Sequence, residues 1–285
     1  MKIKDIILAV FVAFTWGSYF IVTKLTLNSF PPLFFGALRF FLVFLFTFPF
    51  FFKDKPPIKL ILLLGIIVFA NLLTLNYAID LSQSLAPIIL INEIVVPFST
   101  ILGVYYFKEK FTLKDLVGIL IALIGLTIVI NKRSLEHVSL AAVTLTITAS
   151  MLFAIYSLLI KKLAKFNILS LISQISLVVA IEFFIASSLQ ENWPTSTDIE
   201  IQSIFALLYS VIICSIISHY IWFYLLRRYP LGKVVPFILL SPVFGCISTI
   251  CVFSESISSG VLFGGIMVIL GLVIIESKNY VKCQS

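Results

Sequence analysis

Apolar runs of about twenty residues, long enough to cross a ~30 Å hydrocarbon core as helices, recur along the chain between short polar links such as NSFPP (28–32), KDKPP (53–57) and DLSQS (80–84). The pattern predicts ten transmembrane helices, over residues 5–24, 32–52, 58–79, 86–107, 113–131, 139–160, 168–189, 202–226, 231–253 and 258–276. The expected fold class is all-α, a polytopic membrane protein. The first run lacks a small-x-small cleavage site and reads as a retained span rather than a signal peptide.

Composition agrees with the pattern. Only 12% of the 285 residues are charged and 61% are hydrophobic, whereas a soluble chain of this size carries roughly 25% charged residues to wet its exterior. Most of this exterior must therefore face lipid.

Charge tests the span count, because bases should gather on alternate sides of the membrane. Sixteen of the twenty Lys and Arg residues fall on one side: Lys2, Lys4, Lys53, Lys55, Lys59, Lys108, Lys110, Lys114, Lys161, Lys162, Lys165, Arg227, Arg228, Lys233, Lys278 and Lys282. Only Lys132 and Arg133 occupy links of the other side, which holds the acidic stretch with Glu191, Asp198 and Glu200. The positive-inside rule then places both termini in the cytoplasm. The net charge of +7 reads as loop charge near anionic lipid headgroups, so membrane lipid is an expected partner and nucleic acid is not. Cys214, Cys246, Cys251 and Cys283 have no metal-like spacing, so no metal site is expected, and each thiol reads as a small hydrophobe. A cofactor is not expected either: the chain has no phosphate-binding Gly-rich turn and only two histidines.

The chain also resembles itself. A shift of 146 residues lays YFKEKFTLKDLVGILIALIGL over VFSESISSGVLFGGIMVILGL, matching Glu109 with Glu255, Gly118 with Gly264 and Gly125 with Gly271. A shift of 137 lays WGSYFIVTK over FAIYSLLIK, matching Tyr19 with Tyr156 and Lys24 with Lys161. With five spans per half, the second half must enter the membrane inverted, an architecture used by carriers. Residues 1–134 and 135–285 are the expected repeats. The paired glycines read as positions where helix backbones approach closely.

Several polar groups lie inside these apolar runs. Glu93 sits in IILINEIVVPF, where a charge at bilayer depth costs about 2.5–3.5 kcal/mol on insertion scales. It is a candidate to bind a substrate ammonium, to exchange protons, or to do both in turn. Pro97 has no N–H to give to the carbonyl of Glu93, which is expected to leave that oxygen unpaired beside the carboxyl. Asn92 points about 100° away from Glu93. His219, sharing a face with Ser215 and Trp222, is a second proton-coupling candidate. Trp16 and Tyr19 on the first span, Asn71 with Thr74 on the third, and Ser150 and Tyr156 on the sixth complete the candidate substrate-binding set, with hydroxyls and amides suited to a zwitterion. Pro236 and Pro242 should free carbonyls in the ninth span. Arg39 and Glu182 read as structural, and Glu109 and Glu255 as helix-end groups facing water.

The stretches WGSYFIVTK, FPPLFFGALRF, FKEKFTLKDLVGILIALIGL, IWFYLLRRYPLGKVVPFILLSPVFG and FSESISSGVLFGGIMVILGLVI together resemble the EamA family of the drug/metabolite transporter superfamily. The resemblance covers nearly the whole chain and is nearest to exporters of cysteine and O-acetylserine. Glu93 and His219 depart from the uncharged polar and aromatic residues expected there. The resemblance implies a central cavity lined by spans 1, 3, 4, 6, 8 and 9, and export of small metabolites across a bacterial inner membrane.

The expectation is thus a secondary transporter, not an enzyme, that exports small amino-acid-like metabolites by alternating access as a monomer or weak dimer. Uptake of another small metabolite, a channel and an intramembrane enzyme are the rival readings. The sequence offers no convergent catalytic set for the enzyme.

Overall fold

The computed structural model describes residues 1–82, 85–129, 139–193, 199–253 and 259–276, and these are helices joined by short links. In chain order the helices are α1 (Ile3–Leu27), α2 (Pro32–Thr47), α3 (Ile58–Asp80), α4 (Leu85–Asn92), α5 (Val95–Phe107) and α6 (Leu113–Val129) in the first half. The second half holds α7 (Leu140–Lys162), α8 (Ile168–Gln190), α9 (Ile201–Tyr209), α10 (Ser218–Arg228), α11 (Leu231–Val234), α12 (Ser241–Phe253) and α13 (Ser259–Glu276). By length and composition, six stretches of described residues can cross a membrane: Ile3–Leu27, Pro32–Phe50, Ile58–Asp80, Leu140–Lys162, Ile168–Gln190 and Ile201–Arg228.

The other four expected spans are shorter or interrupted, and proline explains two of them. The stretch 86–107 is broken at Glu93 and Ile94, four and three residues before Pro97, where the missing N–H ends the regular ladder. The freed carbonyl does not stay free. Val96 N donates to Glu93 O at 3.0 Å, a tighter three-residue closure that corrects the expectation of an unpaired oxygen. The stretch 231–253 likewise runs through a 3₁₀ segment, Val235–Leu240, that contains Pro236 and ends just before Pro242. There Ser241 N donates to Ile238 O, so that carbonyl is also taken.

Helix starts follow local rules. Pro32 opens α2, Ser139 Oγ accepts from Ala142 N at 3.1 Å and Asn167 Oδ1 accepts from Ser170 N at 3.1 Å. The bundle is apolar outside as well as in its core, and small polar side chains are set among the buried apolar ones. Phe41, Leu45, Phe46 and Phe52 are exposed, whereas Thr15, Ser18, Ser150, Ser157, Ser173 and Ser210 are buried. The hydroxyls join helices, as in Thr15 Oγ1 to Ser218 Oγ at 2.7 Å and Ser203 Oγ to the carbonyl of Leu25 at 2.9 Å.

The helix neighbours occur in matching sets. The broadest packing pairs are α6 with α13, α2 with α8, α3 with α7 and α1 with α12. Exchanging the halves returns the first two to themselves. It turns α3 with α7 into the packing of α1 against the 201–228 span, and α1 with α12 into that of α7 against α4 and α5, and both of those contacts are present. The glycines show the same reciprocity. A Cβ added to Gly118 would lie 2.6 Å from the carbonyl of Gly271, and one on Gly125 would lie 2.7 Å from that of Gly264. Each glycine meets the counterpart of the other, the arrangement a twofold axis between α6 and α13 gives. Backbones come this close only where side chains are absent.

Both ends are fastened by carboxylates. At one, Glu191 accepts the N–H groups of Leu33 and Phe34, both at 2.8 Å, capping α2. At the other, Glu109 accepts those of Leu231 and Gly232 at 2.9 and 3.1 Å and pairs with Lys161 Nζ at 2.8 Å. The expected helix terminus is present at Glu109, as the start of α11, while Lys161 takes much of the place expected for water. Glu255 and the repeat boundary at 134/135 lie outside the described residues, as do Asp198, Lys132 and Arg133. Of the cysteines, Cys214 is described and buried, its thiol 3.3 Å from the carbonyl of Thr15.

Candidate functional site

A cavity of about 90 Å³ lies where the two halves meet. One water needs about 10–15 Å³ on this measure, so there is room for a compact solute. Of the residues selected from sequence, Trp16, Tyr19, Asn71, Asn92, Glu93, Tyr156 and His219 line it together.

Glu93 enters from the break between α4 and α5. It is 1% exposed, and neither carboxyl oxygen has a hydrogen-bond partner among the described residues. Because regular helix stops at this residue, its side chain is set by the kink rather than by a continuous helical face. Asn92 reaches the same wall, and Ser150 Oγ meets its carbonyl at 3.1 Å and its Oδ1 at 3.3 Å.

His219 reaches the wall through a π-helical widening of the 201–228 span at Ser210–Ile217. Three side chains reach back five residues there: Ser215 Oγ to Ser210 O at 2.7 Å, Ser218 Oγ to Ile213 O at 2.7 Å and His219 Nδ1 to Cys214 O at 3.1 Å. Such widened turns gather at functional sites because they redirect side chains without ending a helix.

Trp16 packs its ring 5.3 Å from Phe153, 5.0 Å from Trp222 and 5.6 Å from His219, measured between centroids. Its Nε1 donates to Cys214 O at 3.4 Å. Tyr19 Oη donates to Asn76 Oδ1 at 3.2 Å, and Asn71 Nδ2 to Ala149 O at 2.7 Å.

Two selected residues stand behind the lining. Ser150 is buried between α7 and α4, bonded also to Thr146 O at 2.9 Å. Trp222, 1% exposed, supports Trp16 and lies 3.4 Å from Ser157 Oγ. Thr74, expected to share a face with Asn71, instead lines a separate outer groove together with Glu182.

Sequence reasoning missed Arg39. Its place in the sequence reads as structural, yet it lines the cavity, 4% exposed, with Nε donating to Ser215 Oγ at 2.8 Å. The guanidinium carbon lies 4.5 Å from the Tyr19 ring centroid and 5.3 Å from that of Phe40. A basic residue embedded in an apolar span was the available signal. Phe20, Phe40, Phe153, Ile238 and Ser241 also line the wall and carried no such mark.

An apolar-coated helical bundle enclosing a central cavity, with a few polar and ionisable groups set among aromatic and aliphatic walls, has the form of a multi-pass membrane transporter. Comparison with known proteins makes the class specific. The model of the EamA-like transporter family matches residues 3–131 and again 140–277, and the chain belongs to that family. A protein of Escherichia coli strain K12 named as a probable amino-acid metabolite efflux pump is 31% identical over 96% of this chain and 95% of its own. Its namesake in Salmonella typhimurium strain LT2 is 32% identical over the same shares. A solved crystal structure superposes with a TM-score of 0.82 over the whole of both chains at 14% identity, a likeness of fold alone.

Proposed function

We propose that this protein exports small amino-acid-like metabolites across the bacterial inner membrane by alternating access. Ten transmembrane helices form two inverted repeats, residues 1–134 and 135–285, with both termini cytoplasmic and the central cavity as the binding site. The observation that carries the reading is Glu93, a carboxyl group buried at the meeting point of the halves with both oxygens unpartnered among the described residues. Such a group is costly to keep in a membrane protein, and a solute or a proton that binds and leaves accounts for its retention. Two relatives alike in length and named as probable amino-acid metabolite efflux pumps support the substrate class. Trp16, Tyr19, Asn71, Asn92, Tyr156 and His219 contact the solute, Ser150 and Trp222 hold that wall in place, and proton coupling runs through Glu93 or His219.

The test is flux. Purified protein in proteoliposomes should exchange labelled small amino acids, and Glu93→Gln should abolish that exchange or uncouple it from a proton gradient while the protein still folds. Unchanged flux for Glu93→Gln across the physiological range of about pH 6 to 8 would remove Glu93 from the mechanism.

A further inference from the structure

Arg39 and Glu93 line one cavity, and neither has an ion-pair partner among the described residues. Arg39 is held by its inner edge alone. Nε is engaged by Ser215 Oγ at 2.8 Å and the flat guanidinium rests on the Tyr19 and Phe40 rings, while its two terminal nitrogens make no hydrogen bond among the described residues. Glu93 comes from another wall, at the helix break, with both oxygens likewise unengaged among the described residues. Opposite ionisable groups in one small buried space, each positioned and each unpaired, are unfavourable unless a third body completes them.

We propose that they are the two poles of a zwitterion site. The terminal nitrogens of Arg39 receive the carboxylate of a small α-amino acid as a two-bond fork, and Glu93 receives its ammonium. The amino-acid side chain is left to the aromatic wall of Trp16, Phe153 and Tyr156, and the cavity volume of about 90 Å³ restricts it to short groups. A polyamine leaves Arg39 unanswered, and a dicarboxylate sets like charge against Glu93. This rests on the carrier reading and adds to it a specificity-determining residue, Arg39, and a direction for the bound solute.

Equilibrium binding tests it without requiring flux. Glycine, L-alanine, L-serine and L-cysteine are titrated into the purified full chain, alongside the carboxyl-blocked amide and the amine-blocked N-acetyl form of each. The wild type should prefer at least one free amino acid over both its blocked forms by about tenfold or more, the discrimination expected when a charged hydrogen-bonding group goes unmet. Arg39→Gln should erase the preference over the amide and spare the preference over the N-acetyl form, and Glu93→Gln should do the reverse. Arg39→Lys, which keeps charge but not the fork, should fall between wild type and Arg39→Gln. A residue that only supported the fold would lower all affinities together. Equal binding of free and blocked forms by the wild type overturns the two-pole site whatever the variants do, and leaves the carrier reading to stand on flux. No binding by any of the four amino acids overturns the site as well, and exchange in proteoliposomes then decides the carrier reading separately.

Discussion

Lys161 Nζ lies 2.8 Å from Glu109 Oε1 and 3.0 Å from the carbonyl of Tyr229, so one ammonium joins the end of α7 to the end of α5 and to the turn that enters α11. The same carboxylate takes the N–H groups of Leu231 and Gly232, which as the first donors of a helix have no partner within it. Beside this, Tyr229 Oη donates to Asp5 Oδ2 at 2.7 Å and brings in α1. Three helices and a turn are therefore closed at one end by a single polar cluster.

Glu109→Ala should cost about 1–3 kcal/mol of stability, since it strands two helix-start donors and an ammonium at once. The side chains of Lys161 and Glu109 are 18% and 11% exposed, so water only partly replaces what is lost. Thermal unfolding in detergent gives the loss, and a cycle with Lys161→Met should return a coupling of about 0.5–3 kcal/mol. Additive effects would make the contact incidental.

The glycine crossing makes a sharper prediction because an internal control lies on the same helix. In Gly271→Ala the new Cβ would sit 2.5 Å from the carbonyl of Gly118 and 2.9 Å from the Cβ of Ala122. α6 and α13 would have to separate, an overpacking cost of about 1–3 kcal/mol. In Gly265→Ala the nearest atom is Val243 Cγ1 at 3.4 Å, an ordinary contact, and the change should be within about 0.5 kcal/mol of neutral. Equal melting temperatures for the two variants would contradict the close crossing.

The difference between what was legible and what was not has a physical basis. Helix positions were readable because bilayer thickness fixes the length of an apolar run, and the glycine crossing because the repeat marked both partners. The break at Glu93 was foreshadowed by Pro97, but the new partner of its carbonyl, Val96 N, depends on how the chain tightens locally. Arg39 was missed because sequence gives depth along a span but not direction around it. Its placement depends on Ser215, 176 residues away in sequence, and on a π-helical turn that departs from the 3.6-residue period. Thr74 failed for a related reason: near Asn71 in sequence, it faces another groove. Faces are set by tertiary packing, and a helix buried on several sides has no single polar stripe to reveal them.

Ser215 has two engagements, receiving Arg39 Nε at 2.8 Å and donating to Ser210 O at 2.7 Å. Ser215→Ala should cost about 1–3 kcal/mol, the penalty of leaving a buried donor on a charged group unmet. Thr148→Ala, whose hydroxyl is exposed and bonded only to its own helix, should stay within about 0.5 kcal/mol. The readout particular to Ser215 is ligand affinity, because an unanchored guanidinium must be ordered again at each binding event. A stability loss with unchanged affinity would limit Ser215 to shaping the turn.

Trp16 is half-buried, facing the cavity on one side and packed on Phe153, Trp222 and His219 on the other. Its size closes the space that a longer amino-acid side chain would need. Trp16→Ala should therefore raise exchange of L-phenylalanine relative to L-serine several-fold, while stability falls by less than the ~3–5 kcal/mol of a fully buried tryptophan because part of the ring already borders open space. Trp16→Phe, which keeps the aromatic packing, should retain most of the original selectivity. If the phenylalanine-to-serine ratio is the same in all three proteins, the ring serves packing alone, and the limit on solute size must come from Phe153 or Tyr156 on the neighbouring wall.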